Sequence, residues 1–472
     1  MTKVSNWLLQ DETLRSPIAR ATHTYVIGQP GTGKSRALES WIMQDIAAGR
    51  GVGVIDPHGD LFHNLTIRLS FMPQVWERVV IIDPCNPDWV TTFNPLDAVS
   101  NYSQERLSLF LTDIIGKIWK LDLASAPRAL WLLSNTFLAL SNLNLTLLHL
   151  PKFLLDAEYR NSLLPRLTNP SALSFFQYEF PKNPGAAHQW ASPVLNKIGS
   201  LIFDSDLSLM LAGKPRITFR QIMDQQLILL VHLPKGTIGE GASALMGAFI
   251  VAHIQKAALA RTDSAYRKIF YLYLDEFQNY TTDNIRDILS ESRKYSLSMT
   301  LVHQYLDQLN PEIRSAVLNT AGAIACFRVG YQDGFHLAKE IFPNPDFLQS
   351  ANRRQGFIPF PILQNSMNDL SGWDGLAQSL SGLKFREFWQ KQRGVYLPSK
   401  QRTFDMLLPE VTPEVRHNVR SLLATSGRLY GRPRSEVQNE IAGYHQGNQV
   451  FQSSGKQRQQ VHLDDDVPLW GV

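Results

Sequence analysis

Cysteine is scarce: the 472 residues hold two, Cys85 and Cys326, far apart and each in or beside a strand-like apolar run. That excludes a disulfide framework and suits a reducing compartment, so a cytosolic location is expected. Membrane signals are missing as well. Met1 to Gln10 has no basic-then-apolar leader pattern, and no uninterrupted run of 18 apolar residues occurs, so no membrane span is expected. The nearest candidate, Ala129 to Leu150, is broken by Ser134, Asn135, Asn142 and Asn144 and reads as a buried helix pair. Charge is nearly balanced at +4, too little by itself to argue for nucleic acid, although residues 384–434 carry eleven Lys/Arg against four Asp/Glu. Apolar residues, by contrast, make up 44% of the chain, enough to fill the cores of two or three domains.

Residues 23–40 read as a buried strand, a glycine-rich turn and the start of a helix, and the rest of the chain is organised around them. Gly28 to Ser35 fits G-x-x-x-x-G-K-[ST], with Tyr25-Val26-Ile27 before it and the helix formers Arg36 to Met43 after it. The glycines let backbone N–H groups turn onto phosphate oxygens at a helix N-terminus. Lys34 would reach the β- and γ-phosphates, and the Ser35 hydroxyl would hold Mg²⁺. The chain is therefore expected to bind a nucleoside triphosphate through Gly28, Gln29, Pro30, Gly31, Thr32, Gly33, Lys34, Ser35 and Arg36.

Strand-like runs then alternate with helical ones. Gly51 to Ile55 closes on Asp56, Val79 to Ile82 on Asp83, Ile269 to Leu274 on Asp275-Glu276, Met299 to Val302 on His303-Gln304, and Ala323 to Phe327 on Arg328. This implies an α/β fold with a mostly parallel sheet, helices on both faces and a ligand edge at the carboxyl ends of the strands. Asp275 is the candidate Mg²⁺ ligand, and Glu276 the candidate base that aligns and deprotonates an attacking water. Gln304 is either a γ-phosphate or water sensor or a strand cap, and Asp56 either helps position Mg²⁺ or water or caps a turn.

The domain organisation follows from the changes of pattern. Residues 1–99 form the first part of the nucleotide-binding domain. Residues 100–198 form an all-helical insertion, with apolar spacing of three and four in Leu107 to Trp119, Arg128 to Leu140, Leu147 to Leu155 and Gln189 to Leu201. Residues 199–340 return to the sheet through Leu227 to Leu233 and the apolar helix Ala242 to Ala260. Residues 341–445 begin with a surface excursion over 341–383. A hairpin of Phe385 to Trp389 with Gly394 to Leu397, a strand near Thr403 to Leu407, and the helices Pro413 to Leu423 and Ser435 to Ile441 follow. Residues 446–472 are polar and Gln-rich and are expected to be disordered, with an acidic tip that is a docking peptide or a free end.

Taken together, these motifs resemble the HerA/FtsK superfamily of DNA-pumping ATPases, and within it the type IV secretion coupling ATPases of conjugation. The matching runs are His23 to Ser35, Gly51 to Leu61, Ser192 to Lys197, Leu272 to Gln278, and Ser292 to Tyr295 through Leu301 to Gln304, in that order over residues 20–440. The resemblance implies a RecA-like P-loop NTPase core with an inserted all-α domain, forming a homo-oligomer, a ring of six, around DNA with ATP between subunits. It assigns Lys34 and Ser35 to phosphate and Mg²⁺, Asp275 and Glu276 to metal and water, and Gln304 to sensing. Arg293 would be the arginine finger acting on the next subunit, with Arg328 the second choice. Coupling ATPases usually begin with two membrane-spanning helices, whereas this chain starts about twenty residues before its phosphate loop. The expectation is thus a cytoplasmic ATP-driven DNA translocase, with a membrane, relaxosome or nuclease protein as partner. A soluble DNA-processing pump paired with a nuclease and a nucleotide-switched ring that moves no DNA are the alternatives.

Overall fold

The computed structural model describes residues 21–97, 103–121, 124–263, 266–281, 289, 292–343, 372–404 and 406–446. The sequence also suggests a helix at Val4 to Leu9 and another at Asp283 to Tyr295; the first, most of the second, the tail beyond 446 and most of the excursion expected over 341–383 lie outside these residues.

Nine strands form one sheet in the order β10-β9-β8-β1-β7-β6-β2-β5-β3. They are β1 His23–Ile27, β2 Gly51–Asp56, β3 Val79–Ile82, β5 Ile228–His232, β6 Phe270–Leu274, β7 Leu297–His303, β8 Ala321–Cys326, β9 Glu387–Gln392 and β10 Ser399–Arg402. The seven strands from β8 to β3 are parallel, and β9 and β10 continue the sheet antiparallel. A two-residue strand β4, Trp89–Val90, pairs separately with β11, Arg432–Pro433.

The parallel strands are almost wholly buried because both faces are covered. Tyr25 and Ile27 of β1, Val80 and Ile82 of β3, and Leu229 and Val231 of β5 enter one core, while Val26, Val79, Ile81, Ile228 and Leu230 enter the other. This is the period of two that a pleated strand imposes. The second core is closed by α1, Lys34–Ala47, through Leu38, Trp41 and Ile42, and by α2, Asp60–Leu69, through Phe62 and Leu65. The first continues into helices that include α3 Gln104–Ile118, α4 Pro127–Asn142 and α5 Pro184–Ile202, and into α6 Glu240–Leu259. The Ala129 to Leu150 run is indeed a bent helix pair, α4 meeting Leu147–Leu155 at 119°. The stretch Glu240–Asp263 is long and apolar enough to cross a membrane, and 89% of its most apolar 18-residue window is buried inside the protein.

Four local expectations are corrected. Part of the 341–383 stretch is helical: α9, Gly372–Ser381, buries Leu376 and Leu380 against the core, next to α8, Tyr331–Ile341, while α7, Pro311–Thr320, precedes β8. The hairpin pairs β9 with Ser399–Arg402 instead of Gly394 to Leu397, because Gly394 takes φ +83 and Lys391 Nζ donates to the Tyr396 carbonyl, closing 393–398 as a loop. The strand expected near Thr403 to Leu407 is thus β10, which ends just before that stretch at Arg402. The last helices run further than expected, α10 over Pro413–Tyr430 and α11 over Arg434–Gln446.

Candidate active site

The phosphate loop joins β1, which lies between β8 and β7 in the sheet, to the N-terminus of α1. Its glycines have distinct reasons. Gly31 and Gly33 adopt φ +71 and +109, and a Cβ on Gly28 would lie 2.5 Å from Phe327 Cβ. The loop is braced from β8, with Gln29 N–H donating to the Arg328 carbonyl and Phe327 N–H to the Ile27 carbonyl, each at 2.8 Å, while Thr32 Oγ1 donates to the Gln29 carbonyl. Gln29, Pro30, Gly31 and Ser35 are exposed at the rim. Lys34 is buried and arches over the loop, its Nζ donating to the carbonyls of Gly28 at 2.5 Å and Gln29 at 3.0 Å. Burial holds its pKa down, opposed by the charges of Asp275 and Glu276. Arg36 is turned to other work: its guanidinium binds Glu39 at 3.0 Å, and Glu39 also pairs with Arg68 of α2.

Two strands along, β6 delivers the paired acids. Burial, then the neighbouring charges of Asp56 and Glu276, push the Asp275 carboxyl up to about 7. Glu276 is itself buried, with its backbone in the left-handed region at φ +49. That conformation costs a non-glycine residue roughly 1 kcal/mol and is typical of residues held for a function. One carboxylate oxygen accepts from Gln304 Nε2 at 2.6 Å, the other from Gln278 Nε2 at 2.5 Å. Gln304 follows the last residue of β7, and its side-chain amide thus reaches Glu276.

Of the remaining candidates, Asp56 and Arg328 stand beside the site and Arg293 does not. Both oxygens of Asp56 are used locally, accepting from the N–H groups of His58 and Phe62 at 2.9 Å, so it caps the turn into α2. Arg328 is exposed beside its own loop. Arg293 lies in the turn Ser292–Tyr295 that precedes β7. Its place just ahead of the strand that ends at Gln304 suggests the ligand edge, but the segment lies at the other end of that strand. Leu297 pairs with Phe270 at the amino ends of β6 and β7, and Arg267 NH1, ahead of β6, reaches the Lys294 carbonyl. Seven residue steps, Leu297 to Gln304, at about 3.3 Å each separate that end from Gln304, roughly 23 Å.

Sequence reasoning missed several neighbours. Gln278 stands two residues after Glu276, and its role could have been suspected from that spacing. Arg386, more than 350 positions from the loop, donates its N–H to the Thr32 carbonyl at 2.9 Å, and no local pattern announces it. Tyr280, fully buried at the end of the turn Phe277–Tyr280, packs on Gly247 of α6.

No protein-family model matches the chain, and no significant match to a curated protein is found. Solved structures do match. The plasmid coupling protein TrwB in complex with the non-hydrolysable GTP analogue GDPNP is 16% identical over 84% of this chain and 89% of that chain, with a TM-score of 0.58. This chain has the fold of a conjugative coupling protein. TrwB in complex with ADP and Mg²⁺ gives 16% identity, 84% and 88% coverage and a TM-score of 0.58. The trigonal form of the bacterial conjugative coupling protein TrwBdeltaN70 with sulphate gives 14%, 84% and 89%, and 0.59. At these identities the likeness is one of fold: a RecA-like P-loop core with a mostly parallel sheet and a helical domain.

Proposed function

We propose that the protein is a Mg²⁺-dependent ATPase of the type IV secretion coupling family that moves DNA through a homo-oligomeric ring. The observation that carries most weight is Glu276, buried, backbone-strained and gripped through both oxygens by Gln304 and Gln278, two strands from a lysine-bearing phosphate loop. A carboxylate fixed in this way is aimed at one position, as a base for water requires. The likeness to TrwB, which has been seen with nucleotide analogues and with ADP and Mg²⁺, supports ATP and Mg²⁺ as the ligands.

The residues present fit those ligands. The positive-φ glycines make a backbone cradle, Lys34 brings a desolvated cation, and Ser35 and Asp275 offer the oxygen donors that Mg²⁺ prefers. Bound Mg²⁺ would neutralise charge on the terminal phosphates. Lys34 binds the β- and γ-phosphate oxygens, Glu276 takes the proton of the attacking water, and Gln304 orients Glu276 and reports on the γ-phosphate. Arg293, at the amino edge of its own sheet, is suited to act on a neighbouring subunit and not on its own loop, whereas Arg328 stands beside its own. DNA, a ring of six, the domain division set out above and a membrane, relaxosome or nuclease partner belong to this reading.

The test is ATP turnover of the full chain with Mg²⁺, alone and with single- or double-stranded DNA, together with strand displacement or roadblock removal. Stimulation by DNA with directional displacement is the expected result, and DNA affinity should fall steeply with salt because phosphates are the contacts. Turnover indifferent to DNA would contradict a motor and favour a nucleotide-switched ring.

A further inference from the structure

The phosphate loop has two different flanks. On the β7 side stand Gln304, Glu276 and Asp275. On the β8 side, the segment that leads into β9 is built directly against the loop. Arg386 N–H donates to the Thr32 carbonyl at 2.9 Å, and its own carbonyl accepts from Thr403 N–H at 2.9 Å. A Cβ on Gly33 would lie 3.1 Å from Arg386 Cα and 3.2 Å from its Cγ, so the contact is with glycine for want of room. Arg386 is in the left-handed region at φ +68, a conformation that persists only where surrounding structure over-determines it. Phe385 beside it is 54% exposed, with the Arg386 guanidinium 5.0 Å from the ring centroid.

A nucleoside triphosphate is extended. With its terminal phosphate near Glu276 and Gln304, its nucleoside end must leave the loop on the opposite flank, past β8. We propose that Phe385 and Arg386 form the nucleoside end of the site in the same subunit, with the Phe385 ring as the stacking face for a purine base and the Arg386 guanidinium as the cation for the α-phosphate. This rests on the reading of Gly28 to Ser35 as a nucleoside triphosphate site. The arrangement accounts for an aromatic ring left in solvent and for an arginine held in a strained backbone against the loop. Stacking is shared by adenine and guanine, since each presents a π-face, so this contact adds affinity without choosing between them.

The experiment is calorimetric titration of the full chain, with Mg²⁺, by ATP, GTP and inorganic tripolyphosphate. Phe385→Ala should weaken ATP and GTP alike, by roughly five- to a hundredfold, as loss of one stacked base does, and leave tripolyphosphate within about twofold of the parent. Phe385→Trp should retain nucleotide affinity. Arg386→Ala should weaken all three ligands, and Lys34→Ala should do the same more severely. Thermal unfolding controls for fold damage, and an exposed ring should cost little there. If Phe385→Ala binds ATP as the parent does, or weakens tripolyphosphate by the same factor as ATP, the assignment is overturned while the Lys34 result keeps the loop reading intact. Should Lys34→Ala bind ATP normally, the loop reading itself falls.

Discussion

Gly247→Ala would probe how the catalytic turn is braced. Gly247 lies mid-way along α6 against the ring of Tyr280, and a Cβ there would sit 2.3 Å from Tyr280 Cε1 and 2.6 Å from Cδ1. Ordinary carbon contacts are at about 3.5 Å or more, so the ring or the helix must move by about 1 Å. Tyr280 is 1% exposed and ends the turn that starts at Glu276, leaving little space to move into. Alanine gains about 1 kcal/mol of helix propensity over glycine, and overpacking costs about 1–3 kcal/mol, so the net loss of stability should lie between about 0 and 2 kcal/mol. Activity should suffer more than stability, because a displacement of about 1 Å passed to Glu276 can cost about a hundredfold in rate. Urea unfolding and steady-state ATPase kinetics read the two effects separately: kcat should fall at least about tenfold while KM for ATP stays near the parent's. Adding Tyr280→Leu should make the pair less costly than the sum of the single changes, since the crowded ring is gone. A Gly247→Ala protein with parental stability and parental kcat would refute this account of the turn.

Two further expectations concern charges far from the loop. Mixing Arg293→Ala with Lys34→Ala protein, each inactive alone, should restore some ATPase if the arginine acts across a subunit boundary, since a trans-acting arginine is worth about 10³ to 10⁵ in rate; full activity of Arg293→Ala alone, or no recovery in rings proved to be mixed, rejects the role. Lys256 is 3% exposed in α6, its ammonium 4.1 Å from the Phe110 ring centroid, and burial pushes its pKa down to about 7. The folded chain therefore binds fewer protons than the unfolded chain between about pH 7 and 10, and stability should rise through that window, by about 2 kcal/mol from pH 7 to 9. Lys256→Met should be more stable at pH 7 and should flatten that slope; an unchanged slope would assign the pH dependence elsewhere.

The fold was legible where local chemistry and global position agree. Tyr25-Val26-Ile27 is apolar on both sides because the strand is central, and Gly28 to Ser35 encodes its own turn. The same holds for Leu272 to Glu276, whose apolar run ends in acids at the sheet edge where a metal and water would be handled. Reading failed where the deciding partner is remote. At Asp56 the pattern alone leaves a turn cap and a role at Mg²⁺ or water both open, and the capping shows only in the N–H groups of His58 and Phe62 that donate to its two oxygens. Arg293 precedes Gln304 by eleven positions in sequence, yet β7 carries them to opposite edges of the sheet. Arg386 reaches the loop only because β9 joins the sheet beside β8, an antiparallel pairing that no periodicity in residues 384–393 specifies.

The central claim is that Glu276 is the base of an ATP-hydrolysing site on the Lys34 loop, and Glu276→Gln addresses it most directly. Glutamine keeps the size, and holds both Gln304 and Gln278 once one of those two amides flips to accept from its new NH2 group, but it cannot take a proton from water. Measured side by side, ATP affinity and single-turnover hydrolysis should separate: affinity near the parent's, hydrolysis lower by about a hundredfold or more, and DNA retained in the ATP-bound state. Hydrolysis by Glu276→Gln at the parent's rate would contradict the account.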